Sequence, residues 1–457
     1  MFTSIDLFSG PGGLCTGFKW AGIKPLIAVE WSDWTVRTYA ATHGADILEL
    51  EKYLNGTLEN VDDFFQPNDK TLLIHGDINK VDGSLIKKIL NKRFGVDTVD
   101  IVTGGAPCES FSLAGERKED DDRNNLFLNI IRIAREVDSA MILFENVKGL
   151  FSKKHNGIKG KMYELICDEF EKRKENSPNY KLVSRDKDVV LLKAADYGVP
   201  QNRERIFLIA INDKFNNVSF SYPSPTHGPG TENPYLTVGD AILDLPQIEA
   251  GEETDVYDFD INSVKNPTRL EFLKIMRGIS KPAPAHLNYN YRSISSHKAV
   301  NHTEKMRVRM SLIKQGENMK TASDRLRENN QHELIKKYFP KKLYAARNRR
   351  LNENEPSFTV TSHCLDEMIH PRLNRALTPR EAARLQSFPD WYIFEGPYVK
   401  FHSDPEQDQY EQIGDAIPPL LAYHLGKEIV NTLNSIFPER AMKDRIYNEK
   451  EDYSYVY

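Results

Sequence analysis

The sequence predicts an α/β protein: a doubly wound, mostly parallel sheet with a second, smaller domain. Three observations predict it. Short apolar, β-branched runs alternate with helical patterns through the first half, which implies a parallel sheet covered by helices on both faces. Two of those runs, in "DLFSGPGG" and "TVDIVTGG", end in glycine turns. The alternation stops near Tyr222, at "YPSPTHGPGTENP", whose Pro, Gly, Ser and Thr read as a linker. The expected division is 1–220 with 405–457 for the first domain and 221–404 for the second.

Each element follows from local pattern. "TSIDLF" reads as the first strand, followed by a glycine turn and a helix through Trp20. "PLIAVE" is the second strand, with a helix over 32–41. "TLLIHGD" and "TVDIVTGG" are further strands. A helix over 124–137 is predicted by the spacing of Leu126, Ile130, Ile133, Ala134 and Val137. "AMILFENV" is another buried strand. "DVVLLKA" and "RIFLIAI" flank the turn "DYGVPQNRE" and predict an antiparallel pair. In "TPREAARLQSF", Thr378 caps a helix, Pro379 takes its first position and Glu381 completes a capping box. A last amphipathic helix is expected over 419–433.

Composition bounds the function classes. The 457 residues are 40% hydrophobic and 28% charged, which supplies a core and argues against wholesale disorder. No apolar run approaches membrane-spanning length, and "MFTSIDLFSG" lacks the basic-then-apolar pattern of a signal peptide. The four cysteines, Cys15, Cys108, Cys167 and Cys364, form no C-x-x-C and no zinc-like cluster. Free thiols in a reducing cytoplasm, without a structural metal, are expected. Net charge is −5, but residues 281–350 hold 17 Lys and Arg against 5 Asp and Glu, so the remainder carries −17. A solvated face is the bland account of such a run. With Tyr289, Tyr291 and four histidines interleaved, contact with a polyanion is the better one.

The first glycine turn fails two common patterns. Its spacing puts Cys15 where a dinucleotide fingerprint needs a third glycine, and no Lys-Ser/Thr of a phosphate loop follows. Glu30 ends the second strand and can accept both hydroxyls of a ribose. The adjacent Trp31 can stack on a purine, and Asp77 can accept from an exocyclic amine. Three such features at successive strand ends suggest an adenosine ligand without a pyrophosphate cradle, which S-adenosylmethionine fits. The second turn, "GGAPCESFS", puts Cys108 at a strand end rather than in a core. A thiolate there is a candidate nucleophile, with Glu145 of "FENV" beside it as a proton donor. Arg203 and Arg205 of "QNRERIF" alternate along a strand start and should share one face.

"DLFSGPGG", "GGAPCESFS", "ENV", "QNRERIF", "RALTPREAARLQSFPD" and "QIGDAIPP" occur in the order found in DNA (cytosine-5-)methyltransferases, and the chain resembles that family except over 222–371. The resemblance implies a Rossmann-like methyltransferase domain and a target recognition domain that contains the basic window. It implies methyl transfer from S-adenosylmethionine to carbon 5 of a flipped-out cytosine in double-stranded DNA, through a covalent adduct. It assigns Cys108 as nucleophile, Glu145 as donor to ring nitrogen 3, and Arg203 and Arg205 as positioning groups. Phe8, Gly10, Gly12, Gly13, Glu30, Trp31, Asp77, Ile78, Pro107 and Asp415 would line the cofactor site. Ser112, Arg117 and Arg123 would contact DNA from a loop after the cysteine. Arg347, Arg349 and Arg350 would do so from the basic window.

The same likeness implies a monomeric bacterial enzyme in the cytoplasm, the modification partner of a restriction endonuclease acting on one shared site. Two positions depart from the family pattern: Asp415 replaces the usual Asn, and Glu109 the usual Gln. An ionised Asp accepts but cannot donate, which bears on its cofactor contact. A tRNA-directed branch shares the chemistry but has a short recognition region, unlike the long basic insert here. A non-catalytic DNA-binding derivative would not need Cys108, Glu145 and Arg203 together.

Overall fold

The aliphatic runs pair into one twisted sheet. The computed structural model describes residues 1–106, 126–155, 157–285, 289–400 and 406–440. Strands β1 (Phe2–Leu7), β2 (Ile23–Glu30), β3 (Asp46–Glu49), β4 (Leu72–His75), β5 (Ile101–Gly104) and β6 (Met141–Val147) are parallel, in the order β6-β5-β1-β2-β4-β3. A small hairpin, β7 (Lys154–His155) with β8 (Ile158–Lys159), stands outside this sheet. Beyond β6 come β9 (Tyr180–Leu182), β10 (Leu191–Lys193) and β11 (Glu204–Asn212). Strand β11 runs antiparallel to β6 and β9 and is hydrogen-bonded to β10.

This order makes the sheet doubly wound. The chain lays β2 beside β1, then β3 at the sheet edge and β4 between β2 and β3, and returns to the other side of β1 for β5 and β6. The switch point lies outside the carboxyl ends of β1 and β5, where open α/β sheets bind ligands. Leu7 pairs with Gly104 in register, so both glycine turns start there side by side.

Each face of the sheet is covered. Ile5, Leu7, Val29, Ile74, Val102 and Phe144 pack with Ile86, Ile89, Ile130, Ile133 and Ala134 of the helices Gly83–Phe94 and Leu128–Val137. On the other face Ala28 and Leu73 pack with Cys15, Val36 and Tyr39 of the helices Gly13–Ala21 and Asp33–His43. Burying each large aliphatic or aromatic side chain contributes about 1.5–3 kcal/mol.

Several expectations shift at their edges. The second helix runs Asp33–His43 and stops at Gly44, whose φ of 65° ends it in a left-handed turn. The start of "DVVLLKA" is one helical turn, Lys187–Val190, because Asp186 caps it by accepting from the Asp188 N–H. The sequence reading missed β3 and β9, short strands whose segments, "DILE" and "YKL", carry charged residues instead of an unbroken apolar run. The helix at Thr378 has its capping box, and the last helix runs Pro419–Ile436. No helix of the described residues is long and apolar enough to cross a membrane.

The chain divides into two compact units. The first comprises the described residues of Met1–Leu192, Glu204–Ser224 and Ala422–Tyr457; the second comprises those of Lys193–Arg203 and Pro225–Leu421. The second unit thus extends past position 404. It keeps the helix Gln409–Asp415 because Gln386 Nε2 donates to the Ile413 carbonyl at 2.7 Å and Gly414 lies against the Thr361–Ser362 backbone. A β-carbon at Gly414 would stand 2.2 Å from the Thr361 carbonyl carbon.

Candidate active site

At the end of β1 the backbone turns through left-handed conformations at Phe8 (φ 55), Gly10 (φ 55) and Gly12 (φ 95), then enters the helix Gly13–Ala21. The Gly10 N–H donates to Glu30 Oε2 at 2.9 Å. The Trp31 and Ser32 N–H groups donate to Glu30 Oε1 at 2.9 and 3.1 Å. Burial pushes the Glu30 carboxyl above its usual range, and the three N–H bonds oppose that rise. A carboxylate offers about four acceptor sites. Three are directed at the turn and its neighbour, which leaves Oε2 as the oxygen with capacity for a ribose hydroxyl.

Trp31 is 63% exposed, and His75 at the end of β4 ties the two strand ends together with Nε2 3.1 Å from the Trp31 carbonyl. Asp77 is exposed and accepts from the Asn79 N–H at 2.9 Å, while Ile78 is buried. An exposed indole, a strand-end carboxylate and a second acceptor beyond β4 match the purine, ribose and amine of an adenosine. These residues fit S-adenosylmethionine.

The second strand end holds the acid. Arg205 Nε lies 3.0 Å from Glu145 Oε1, and each side chain is 13% exposed. A β-carbon at Gly105 would stand 2.8 Å from Glu145 Oε2, and one at Gly104 would stand 2.7 Å from Ile130 Cδ1. The paired glycines therefore let the Glu145 carboxyl and the helix Leu128–Val137 come up against the backbone just ahead of Cys108. Cys108 itself, with Pro107, Ser112, Arg117 and Arg123, lies outside the described residues.

Other predicted site residues are placed differently. Arg203 and Arg205 do not share a strand face: β11 begins at Glu204, and Arg203 belongs to the second unit. Arg203 is fully buried and donates to the carbonyls of Val360, Gly414 and Ala416 at 2.8–2.9 Å. Its guanidinium ties the backbone at Val360 to the end of the helix Gln409–Asp415 within that unit. Arg350 is a further correction. It is 5% exposed and donates to the carbonyls of Met310, Ile313, His370 and Leu373 and to Asn374 Oδ1. A guanidinium so enclosed is an internal staple, not a phosphate contact. Arg349 pairs with Glu367 at 3.3 Å and lies over the Phe358 ring, so its charge is also largely spent internally. Arg347 is exposed beside Tyr344. Asp415 is exposed in the second unit, and its Oδ2 accepts from Gln407 Nε2 at 2.9 Å.

The C-5 cytosine-specific DNA methylase family matches residues 2–65 and 55–431. The chain belongs to that family. It is 32% identical to type II methyltransferase M.DdeI of Desulfomicrobium norvegicum, over 93% of this chain and 88% of that one. It is 31% identical to M1.HphI of Haemophilus parahaemolyticus, over 94% and 86%. Among solved structures, a prophage-encoded protein of E. coli described as a DNA modification methyltransferase superposes with a TM-score of 0.63 at 25% identity, covering 95% of this chain and all of that one. This methylase therefore has the Rossmann-like methyltransferase fold, uses S-adenosylmethionine and acts on carbon 5 of cytosine in DNA.

Sequence reasoning missed two kinds of residue in the methylase. Asp6 opens the motif "DLFSGPGG", and an acid within an apolar strand was the available signal. It is buried, accepting from Thr103 Oγ1 at 2.8 Å. Burial pushes its carboxyl up to about 7; the Thr103 bond opposes the rise and the Glu30 charge adds to it. The second kind is the set of arginines in "RALTPREAARLQSFPD". Arg375 grips Glu381 with two bonds of 2.7 and 2.8 Å, and Arg384 bridges Asp244 and Asp390, all fully or nearly buried. Nothing in the local pattern announces that these charges are internal.

Proposed function

We propose that this methylase acts through the covalent route that its residues support. The Cys108 thiolate adds to carbon 6 of a cytosine swung out of the duplex, and Glu145 gives a proton to ring nitrogen 3. Carbon 5 thereby becomes nucleophilic. S-adenosylmethionine, when bound, supplies a methyl group on a positive sulfur. Loss of the carbon 5 proton to a base, departure of the thiolate from carbon 6 and return of the nitrogen 3 proton to Glu145 restore the neutral aromatic ring. The observation that carries this reading is the Glu145 carboxyl, held by Arg205 at 3.0 Å against the Gly105 backbone, three residues before Cys108.

The first unit would hold cofactor and chemistry, and the second would recognise DNA. Within the second, Lys336, Lys337, Lys341, Lys342 and Arg347 are exposed, and among the described residues none forms an ion pair. Lys342 and Arg347 flank the exposed ring of Tyr344 at 5.0 and 5.6 Å from its centroid. Five unneutralised cations in a dozen residues suit the phosphate backbone of a duplex. The likeness to type II methyltransferases supports modification of a site shared with a cognate restriction endonuclease, in a bacterial cytoplasm; a monomer is what the family resemblance implies.

A duplex carrying 5-fluorocytosine at the target tests the mechanism. Fluorine cannot leave as the proton does, so the adduct should survive denaturation. Cys108→Ser should form none and transfer no methyl group, while binding S-adenosylmethionine nearly as the wild type does. Turnover by that variant would refute the nucleophile.

A further inference from the structure

His43 is the last residue of the helix that begins directly beyond Glu30 and Trp31. Its imidazole reaches the glycine turn after β1. A β-carbon at Gly12 would stand 2.4 Å from His43 Nε2, so the ring occupies the side-chain space that this glycine leaves open. The ring is hydrogen-bonded to the Gly12 backbone, and Nε2 also lies 3.4 Å from Thr16 Oγ1. That hydroxyl donates to the Gly12 carbonyl at 2.7 Å.

The opposite edge of the imidazole is held too. Nδ1 lies 3.8 Å from Cys15 Sγ, which accepts from the Tyr39 hydroxyl at 3.1 Å. Tyr39 also packs on the imidazole, with ring centroids 4.5 Å apart. The tautomer protonated on Nε2 satisfies both edges: it donates to the turn and accepts from the thiol. Burial, together with the Lys19 charge, keeps the imidazole below its ordinary range and therefore neutral. Burial likewise pushes the Cys15 thiol up to about 12, so it stays protonated and able to donate.

We propose that His43 is a positioning residue for the cofactor: it fixes the glycine turn against the helix that follows Glu30 and Trp31, setting the spacing of the two halves of the adenosyl site. The turn contains two left-handed glycines, at Gly10 and Gly12, and glycine is the residue with most freedom to lose. Glu30 Oε2 restrains the Gly10 end through its 2.9 Å bond, and the imidazole restrains the Gly12 end. The inference rests on reading Gly10–Gly12 and Glu30–Trp31 as the S-adenosylmethionine site.

Calorimetric titration of the whole enzyme with S-adenosylmethionine tests it. His43→Leu keeps an apolar filling but removes the hydrogen bonds; it should weaken cofactor binding about tenfold. Its affinity for a duplex should stay within twofold, and the loss in steady state should fall on the cofactor KM rather than on kcat. His43→Gln restores an amide donor and should recover cofactor affinity to within threefold of wild type. Glu30→Gln serves as the control for the site. If Glu30→Gln weakens the cofactor and His43→Leu does not, the role of His43 is refuted while the site stands. If Glu30→Gln leaves affinity unchanged, the site reading fails and the inference with it. Equal losses of cofactor and DNA affinity in His43→Leu, with a lowered melting temperature, would make His43 a general stability residue and overturn the proposal. A His43→Gln variant as weak as His43→Leu would overturn the hydrogen-bond assignment.

Discussion

A β-carbon at Gly105 would stand 2.8 Å from Glu145 Oε2, too close for both to keep their places. Gly105→Ala must therefore displace the carboxyl that the Arg205 ion pair holds. A displacement near 1 Å at a reacting group can cost about 10²-fold in rate. Single-turnover methylation by Gly105→Ala should slow by roughly 10–100-fold, with S-adenosylmethionine affinity unchanged. A wild-type rate would show that the Glu145 position is irrelevant to the chemistry. At this scale the sequence was informative about residue type. Glu145 and the paired glycines were visible at the strand ends, but the reason for two glycines was not. It lies in two distant contacts: Gly104 meets Ile130 of the helix Leu128–Val137, and Gly105 meets Glu145 of β6, some forty residues on.

At the scale of elements, the basic window separates into two classes that composition alone could not distinguish. Arg350 spans the cluster formed by Met310, Ile313, Met319, Ala322, Leu326, Phe339 and Ile369 by hydrogen-bonding the carbonyls around it. Burial pushes its guanidinium down to about 10, and no carboxylate stands opposite among the described residues. Arg350→Ala should leave several of those carbonyls unsatisfied, each at about 1–3 kcal/mol. A clear drop in melting temperature should result, with weak DNA binding only as a consequence of unfolding. Replacing Lys336, Lys337, Lys341 and Lys342 together by Gln should do the reverse. Stability should change little, while the slope of log affinity against log salt should flatten by up to about 0.9 for each phosphate that is no longer neutralised. Unchanged DNA affinity in that variant would make the strip a solvated face. Neutralising Arg347, Arg349 and Arg350 together would confound the two classes. Their positions in sequence, 347 to 350, gave no hint of this. A short pairing of Arg349–Arg350 with Met368–Ile369 turns the second arginine inward.

For the whole molecule, the buried ion pairs of the second unit set an acid limit. Burial alone would raise the Glu381 carboxyl, but Arg375 and its two hydrogen bonds prevail and hold it at about 2. Asp390, buried between Arg384 and Arg277, is likewise held at about 2. Unfolded Glu and Asp titrate near about 4.3 and 3.9. Both groups have lower values in the fold, so each stabilises it above about pH 4. That contribution is lost as pH falls from about 4 towards 2. Thermal midpoints should drop steeply in that window. Glu381→Gln, which strands Arg375, should cost about 3–5 kcal/mol at neutral pH and show a shallower acid limb. Identical acid limbs in the two proteins would remove Glu381 from the cause. The sequence by itself determined the alternation that makes a doubly wound sheet, the two glycine turns at its strand ends and the order of motifs that marks the family. Those features depend on neighbours a few positions apart, so a linear reading reaches them. Only the tertiary structure decided which charges face inward: Arg203, Arg350, Arg375 and Arg384 look like any surface arginine in the chain. Their burial is set by carbonyls and carboxylates that lie distant in sequence and arrive only when the fold closes around them.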